Sequence, residues 1–181
     1  LNSYSGHTEE TIDALNEAQG RDVETLVVST GGKIIEWAKS VGAPYIQMPS
    51  MDLQPRAAIG FNIRALARGM ELVEAYHELS ALATTLHPER FGEGGMRIAT
   101  ALKGHVPVVY ASTANQAVAY NWKIKFNETG KIPAFSHVFP ELNHNEMTGF
   151  DVQPGSQALT APFAFIMIRD DEDHPRIRRR M

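Results

Sequence analysis

Apolar residues fall into two kinds of block along this chain: short unbroken runs, and longer stripes with helical spacing. Thr8-Glu9-Glu10-Thr11 sets a hydroxyl and two acids ahead of Ile12, Leu15 and Ala18, which predicts a helix ending near Gly20. Leu26-Val27-Val28 reads as a short buried strand. Ser29-Thr30-Gly31-Gly32 is a turn into a second helix from about Lys33 to Ser40, and Pro44 to Met48 is a further strand. Pro55 suits the first turn of one long helical stretch through Ile59, Ile63, Leu66, Met70, Val73 and Leu79 towards Leu86. Pro88-Glu89-Arg90-Phe91-Gly92-Glu93-Gly94-Gly95 has the composition of a linker. The alternation then resumes with a helix around Met96 to Leu102, a strand Val106 to Tyr110, a helix from Thr113 to about Phe126, a strand Ile132 to Phe135 and a last strand Phe163 to Ile168. Strand–helix–strand succession predicts an α/β protein with parallel sheets flanked by helices. Two halves are expected, 1–87 and 96–181, joined by 88–95.

Composition narrows the function classes. With 181 residues, 43% hydrophobic and 21% charged, the chain can bury a real core and has the balance of an ordinary globular protein. No apolar run approaches the roughly 18 residues that span a bilayer, so no membrane association is expected. The opening residues carry no basic stretch followed by an apolar one, so no secretory signal is read. The absence of cysteine excludes disulfides and thiolate metal sites and fits a reducing compartment, with cytoplasm as the default. A net charge of −4 argues against broad nucleic-acid binding. Arg176-Ile177-Arg178-Arg179-Arg180 follows Asp170-Asp171-Glu172-Asp173, and these neighbouring runs largely cancel as a solvated chain end.

The first loop carries the clearest chemistry. Ser3-Tyr4-Ser5-Gly6-His7-Thr8 brings hydroxyls and a glycine to a helix start, where free amides and the helix dipole favour an anion. The plainer alternative is that Thr8 caps the helix and the serines form a polar turn.

Four stretches resemble one family. Ser3-Tyr4-Ser5-Gly6-His7-Thr8-Glu9-Glu10-Thr11 is similar to the phosphate loop of the sugar isomerase (SIS) domain. Ser29-Thr30-Gly31-Gly32-Lys33, Gln54-Pro55-Arg56-Ala57-Ala58 and Pro140-Glu141-Leu142-Asn143-His144-Asn145-Glu146 resemble the bifunctional phosphoglucose/phosphomannose isomerases of archaea and bacteria, in the family's order. The resemblance implies two SIS-type, Rossmann-like subdomains, the first incomplete. It implies Ser3, Ser5 and Thr8 as the grip on the phosphate of a hexose 6-phosphate, and Arg56 as the cation beside the reacting carbons, opposite an enediolate.

Phe126-Asn127-Glu128-Thr129-Gly130-Lys131 resembles the segment with the family's base, which makes Glu128 the group that moves a proton between C1 and C2. Without the resemblance, Glu128 reads as a solvated helix end beside Lys131. His144 is similar to the family's ring-opening histidine, and its ordinary pKa of about 6.5 suits a proton shuttle. In related isomerases that histidine reaches into the partner's site, so a homodimer with a shared active site is implied. Glu141 and Glu146 remain competitors, as the base or as the group that orients His144. No cofactor is implied. A zinc site built from His137, Glu141, His144 and Glu146 is disfavoured, because no helical His-Glu-x-x-His pattern is present.

The activity implied is interconversion of glucose 6-phosphate, and of mannose 6-phosphate, with fructose 6-phosphate through a cis-enediol. The alternatives are a non-catalytic sugar-phosphate-binding module and an SIS enzyme acting on an amino-sugar or heptose phosphate. The Pro-Glu-Leu-Asn-His-Asn-Glu stretch speaks against the latter.

The chain departs from the family pattern at His7, where asparagine is usual. The family's lysine near the C-terminus and the segment supplying its first strand are not found in these residues. No initiator methionine is present, and no strand pattern precedes Ser3, so the chain is expected to be a piece of a longer protein. The 181-residue chain by itself is therefore expected to show weak isomerase activity or none. A coupled assay checks this, and normal turnover would contradict it.

Overall fold

The structure is a computed structural model that describes residues 1–151 and 153–181. The chain forms two compact units, Leu1–Pro88 and Glu89–Met181, each with its own parallel sheet.

In the first unit, α1 (Glu9–Gly20) precedes β1 (Val27–Ser29), and α2 (Gly32–Val41) crosses over to β2 (Tyr45–Gln47). The two strands pair in parallel, with Val27 opposite Tyr45. Both faces of β1 are covered, which is why Leu26-Val27-Val28 is continuously apolar rather than alternating. Val27 packs with Leu15, Ile34, Ile35 and Ala38 beneath α1 and α2, while Val28 packs with Met48 and Ala65 on the other side. Asn2 also bridges Val28 in parallel, with the Ser3 amide donating to the Val28 carbonyl at 3.1 Å. The loop at Ser3 thus leaves a strand position, one too short to write a hydrophobic pattern.

The single long helix expected from Pro55 to Leu86 is corrected by the structure. A 3-10 turn (Pro55–Ala57), α3 (Ile59–Gly69) and α4 (Val73–Thr85) take its place. The break comes where Glu71 adopts a left-handed φ of 57° and the Leu72 amide turns back to the Ala67 carbonyl at 2.9 Å. Across the bend, Arg64 donates to the Tyr76 hydroxyl at 3.1 Å and its guanidinium lies 5.0 Å from that ring's centre. Apolar spacing carried straight through the bend although Ile59, Ile63, Met70, Val73 and Leu86 are exposed, and Ala65 and Ala67 are the residues of α3 that lie buried.

In the second unit, α5 (Gly92–Leu102) leads into β3 (Val106–Ser112), the centre of a three-stranded sheet ordered β4-β3-β5. β4 is Phe135–Phe139 and β5 is Phe163–Met167, both parallel to β3. α6 (Gln116–Glu128) connects β3 to β4, and the short α7 (Gln157–Thr160) precedes β5. Alternate residues of β3 feed two cores. Val108 and Tyr110 join Phe139 and Leu142, and Val109 and Ala111 join Ala119 of α6.

Other boundaries also move. The strand expected at Ile132 to Phe135 begins at Phe135, because the Ile132 amide closes the end of α6 on the Phe126 carbonyl and Pro133 has no amide to give the ladder. Residues 88–95, expected as a linker, take helical form as a 3-10 turn Pro88–Phe91 and the first turn of α5. The charged run keeps Arg176, Arg178, Arg179 and Arg180 exposed, as expected of a solvated end, while other residues of the segment fold onto the unit. Ile177 and Met181 pack against the Tyr110 core, α8 (Pro175–Arg178) is capped by His174, and Asp173 is buried.

Ile34 lies fully buried between α2 and β1, so Ile34→Ala should cost the first unit about 2–5 kcal/mol. Urea denaturation measures the loss, and Val41→Ala on the exposed side of the same helix should cost far less.

Candidate functional site

Parallel pairing sends the first unit's loops to a common edge. The Ser3–Thr8 loop, the Thr30–Gly32 loop and the Met48–Arg56 segment all follow the carboxyl ends of parallel backbone, the edge where open α/β sheets bind ligands. Side chains tie the loops together. The Tyr4 carbonyl accepts from Thr30 Oγ1 at 2.7 Å and from the Thr30 amide at 3.0 Å, and the Tyr4 hydroxyl donates to the Met51 carbonyl at 3.3 Å. Gln47 donates to the Thr30 carbonyl at 3.1 Å.

The tightest approach is between Gly6 and Gly32, whose φ values are 71° and 74°. A Cβ on Gly32 would stand 2.5 Å from the Ser5 carbonyl oxygen, and one on Gly6 would run into the Gly31 carbonyl. Two backbones in mutual contact leave room only for glycine at both points.

Thr8 occupies the N-cap of α1 with extended dihedrals, φ −62° and ψ 123°, yet its side chain makes no capping bond. Its Oγ1 instead lies 2.8 Å from Ser3 Oγ, and Ser3 Oγ also accepts from the Gly6 amide at 3.2 Å. Ser3 is 7% exposed, whereas Ser5 and Thr8 are open to solvent. Ser5 Oγ accepts from the His7 amide at 3.2 Å. The loop therefore pairs the Ser3 and Thr8 hydroxyls, turns that of Ser5 to the His7 amide, and leaves the first-turn amides of α1 without a side-chain cap, an arrangement suited to an anion. Arg56 is half-buried in the 3-10 turn of the same unit.

The second unit separates the other two candidates. Glu128 ends α6, the crossover that returns the chain to the start of β4, and is exposed. His144 follows the far end of β4, at the close of a 3-10 turn Glu141–Asn143, and is also exposed. The five residues of β4 set the two edges apart by roughly 15 Å. Within one unit, then, Glu128 and His144 sit at opposite edges of one sheet.

Around His144 the turn is tied down. Glu146 Oε1 accepts from the Tyr110 hydroxyl at 2.7 Å, and Glu146 Oε2 lies 2.6 Å from His137 Nδ1. A carboxylate can only accept, so Nδ1 carries the proton. Asn145 donates to Glu141 Oε1 at 3.0 Å, and the His144 amide donates to the Glu141 carbonyl at 2.9 Å. Burial, reinforced by the bond to Glu146 and by its charge, pushes the Tyr110 hydroxyl well above its ordinary range. A cavity of about 300 Å³ beside this turn is lined by Gln116, Tyr120, Ser136, His137, Glu141 and Asn145 among others. Among the described residues, no three of His, Asp and Glu gather to hold a metal.

Comparison with known proteins supplies the relationship. Residues 93–181 match the family model of the bacterial phospho-glucose isomerase C-terminal SIS domain. A bifunctional phosphoglucose/phosphomannose isomerase of Aquifex aeolicus is 33% identical across 99% of this chain and 54% of its own length. One from Caldicellulosiruptor bescii is 34% identical across 96% of this chain and 54% of its own. A D-glucosamine-6-phosphate 4-epimerase of Sulfolobus acidocaldarius is 33% identical across 87% of this chain and 52% of its own. The chain belongs to the SIS-domain sugar isomerase family. It spans about half the length of the curated relatives it matches. No solved structure matches it significantly.

Within this SIS chain, sequence reasoning singled out His137 and Glu146 but missed Tyr110, which completes their group. Tyr110 reads as one more apolar member of Val106-Pro107-Val108-Val109-Tyr110, and only the interruption of an aliphatic run by a hydroxyl could have drawn notice. The interlock of Gly6 with Gly32 was equally hidden, since 26 residues separate them.

Two outcomes are expected, one in each unit. Gly32→Ala should abolish binding of inorganic phosphate in calorimetry and lower stability by more than Gly42→Ala, where φ is also positive at 71° but the space around it is open. Gly42→Ala should keep phosphate binding. Tyr110 should remain un-ionised above pH 10 in a spectrophotometric titration, and Glu146→Gln should bring its ionisation down towards the ordinary value. Because the folded pKa is raised, the stability it contributes is present below pH 10 and lost as pH climbs towards the folded value.

Proposed function

We propose that this chain provides the phosphate site and the proton-transfer groups of an aldose–ketose isomerase acting on glucose 6-phosphate and mannose 6-phosphate, with fructose 6-phosphate as the shared product. The observation that carries the reading is the N-cap of α1, where a threonine hydroxyl turns to Ser3 and leaves the helix start to an anion. Membership in a family with bifunctional phosphoglucose/phosphomannose isomerases supplies the sugar.

In this reading Ser3, Ser5, Thr8 and the first-turn amides of α1 hold the phosphate. His144 passes a proton to the ring oxygen as the O1 proton leaves, which opens the sugar to an aldehyde. Glu128 then removes the proton on C2. The C2–H electron pair becomes the C1–C2 double bond, and the carbonyl pair moves to O1 as an enediolate. Arg56 stabilises that charge as it forms. A proton passes from O2 to O1, and Glu128 returns its proton to C1 to give the ketose. Oxidation at C2 balances reduction at C1, so the reaction needs no redox cofactor.

The separation of Glu128 and His144 across the second unit's sheet supports a homodimer, in which each site takes Glu128 from one copy and His144 from the other. Interconversion of these hexose phosphates places the protein in carbohydrate metabolism, in the glycolytic and gluconeogenic directions. The cysteine-free composition favours cytoplasm.

The D-glucosamine-6-phosphate 4-epimerase among the relatives motivates a second reading, in which the same phosphate site serves an amino-sugar phosphate. Product analysis separates the two: fructose 6-phosphate supports isomerisation, and a 4-epimer supports the other. A third reading, sugar-phosphate binding without chemistry, is supported instead if the sugar phosphate binds and no solvent deuterium enters C1 or C2.

In the whole protein, Glu128→Gln should lower kcat by about 10²–10⁴-fold while KM changes little, since it removes a proton carrier and no phosphate contact. Deuterium exchange at C1 and C2 should fall in step. Retained turnover would end the assignment of Glu128.

A further inference from the structure

We infer that Glu146 is a positioning residue, clamped between Tyr110 and His137, whose carboxylate fixes the turn that carries His144. The inference rests on the reading of His144 as the ring-opening group and concerns what aims it.

Two neighbouring strands present the clamp. Tyr110 of β3 and His137 of β4 face each other in the parallel register, so their side chains leave the same face of the sheet. Tyr110 is 1% exposed and wedged between aromatic rings, edge-on to Phe139 at 6.0 Å and against Phe165 at 5.3 Å between centres. Its hydroxyl is therefore a fixed point. It donates to one oxygen of Glu146 at 2.7 Å while His137 meets the other at 2.6 Å, so both carboxylate oxygens are taken.

To act as a general base Glu146 would have to free one of these oxygens from its donor. Its chain position suits an anchor instead, two residues past His144. On the near side, Glu141 is tied to Asn145 through its side chain and to the His144 amide through its carbonyl. The imidazole of His144 thus projects from a segment held at both flanks, and misplacement by about 1 Å is enough to cost on the order of 10²-fold in rate.

Glu146→Gln keeps the shape but replaces one acceptor oxygen with an N–H₂, so either Tyr110 loses its acceptor or His137 must turn its Nδ1 from donor to acceptor. The test is a double-mutant cycle on the whole protein, with kcat and KM for glucose 6-phosphate and with melting temperature as the folding control. Glu146→Gln should lower kcat about 10- to 100-fold with KM changed less than about twofold, and should cost nothing further in a His144→Ala background. Tyr110→Phe, which deletes one hydroxyl and keeps the ring, should move kcat the same way by less. Wild-type kcat in Glu146→Gln, or an undiminished loss in the His144→Ala background, would overturn the inference. Wild-type turnover in His144→Ala alone would instead overturn the reading of His144.

Discussion

Parallel strand pairing governs where chemistry can sit in this molecule. Each crossover helix must bring the chain back to the start of the sheet before the next strand begins, so residues at a helix C-terminus and residues after the following strand lie at opposite edges. In the second unit that rule parts Glu128, at the end of α6, from His144, beyond the end of β4. In the first unit the same rule gathers three loops at one edge, where the paired hydroxyls of Ser3 and Thr8 lie at a helix start. The geometry of each unit follows from strand direction before any side chain is considered.

The Ser3–Thr8 loop shows how backbone and side chain divide the work. Glycine at positions 6 and 32 lets two loops touch, which fixes the loop's path against β1 and α2. Thr30 hooks Tyr4 from the other side. With the path fixed, the hydroxyl of Thr8 is spared from capping α1, and the polarity of the helix start is left for a ligand.

Legibility in the sequence followed the size of the local signal. The fold class and the parallel α/β pattern were readable, because apolar runs such as Val106-Pro107-Val108-Val109-Tyr110 and stripes such as Ile12-Leu15-Ala18 write their period directly. The bend at Glu71 was not, since a left-handed residue leaves the apolar spacing on either side unbroken. The start of β4 slid by three residues from Ile132 to Phe135 because Ile132 is apolar in sequence but spends its amide on the end of α6. Of the candidate site, the hydroxyl loop was visible as composition and the Glu128 and His144 segments as resemblance. The separation of those two residues, and the clamp on Glu146, depended on contacts between strands that no local pattern records.

The central claim is that one active site draws Glu128 and His144 from two copies of the chain. Mixing Glu128→Gln protein with His144→Ala protein, after dissociation and re-pairing, tests it most directly. Two inactive variants should regain about a quarter of wild-type turnover, because random pairing makes half the dimers mixed and each mixed dimer holds one intact site of two. A mixture as inactive as its components would contradict the claim.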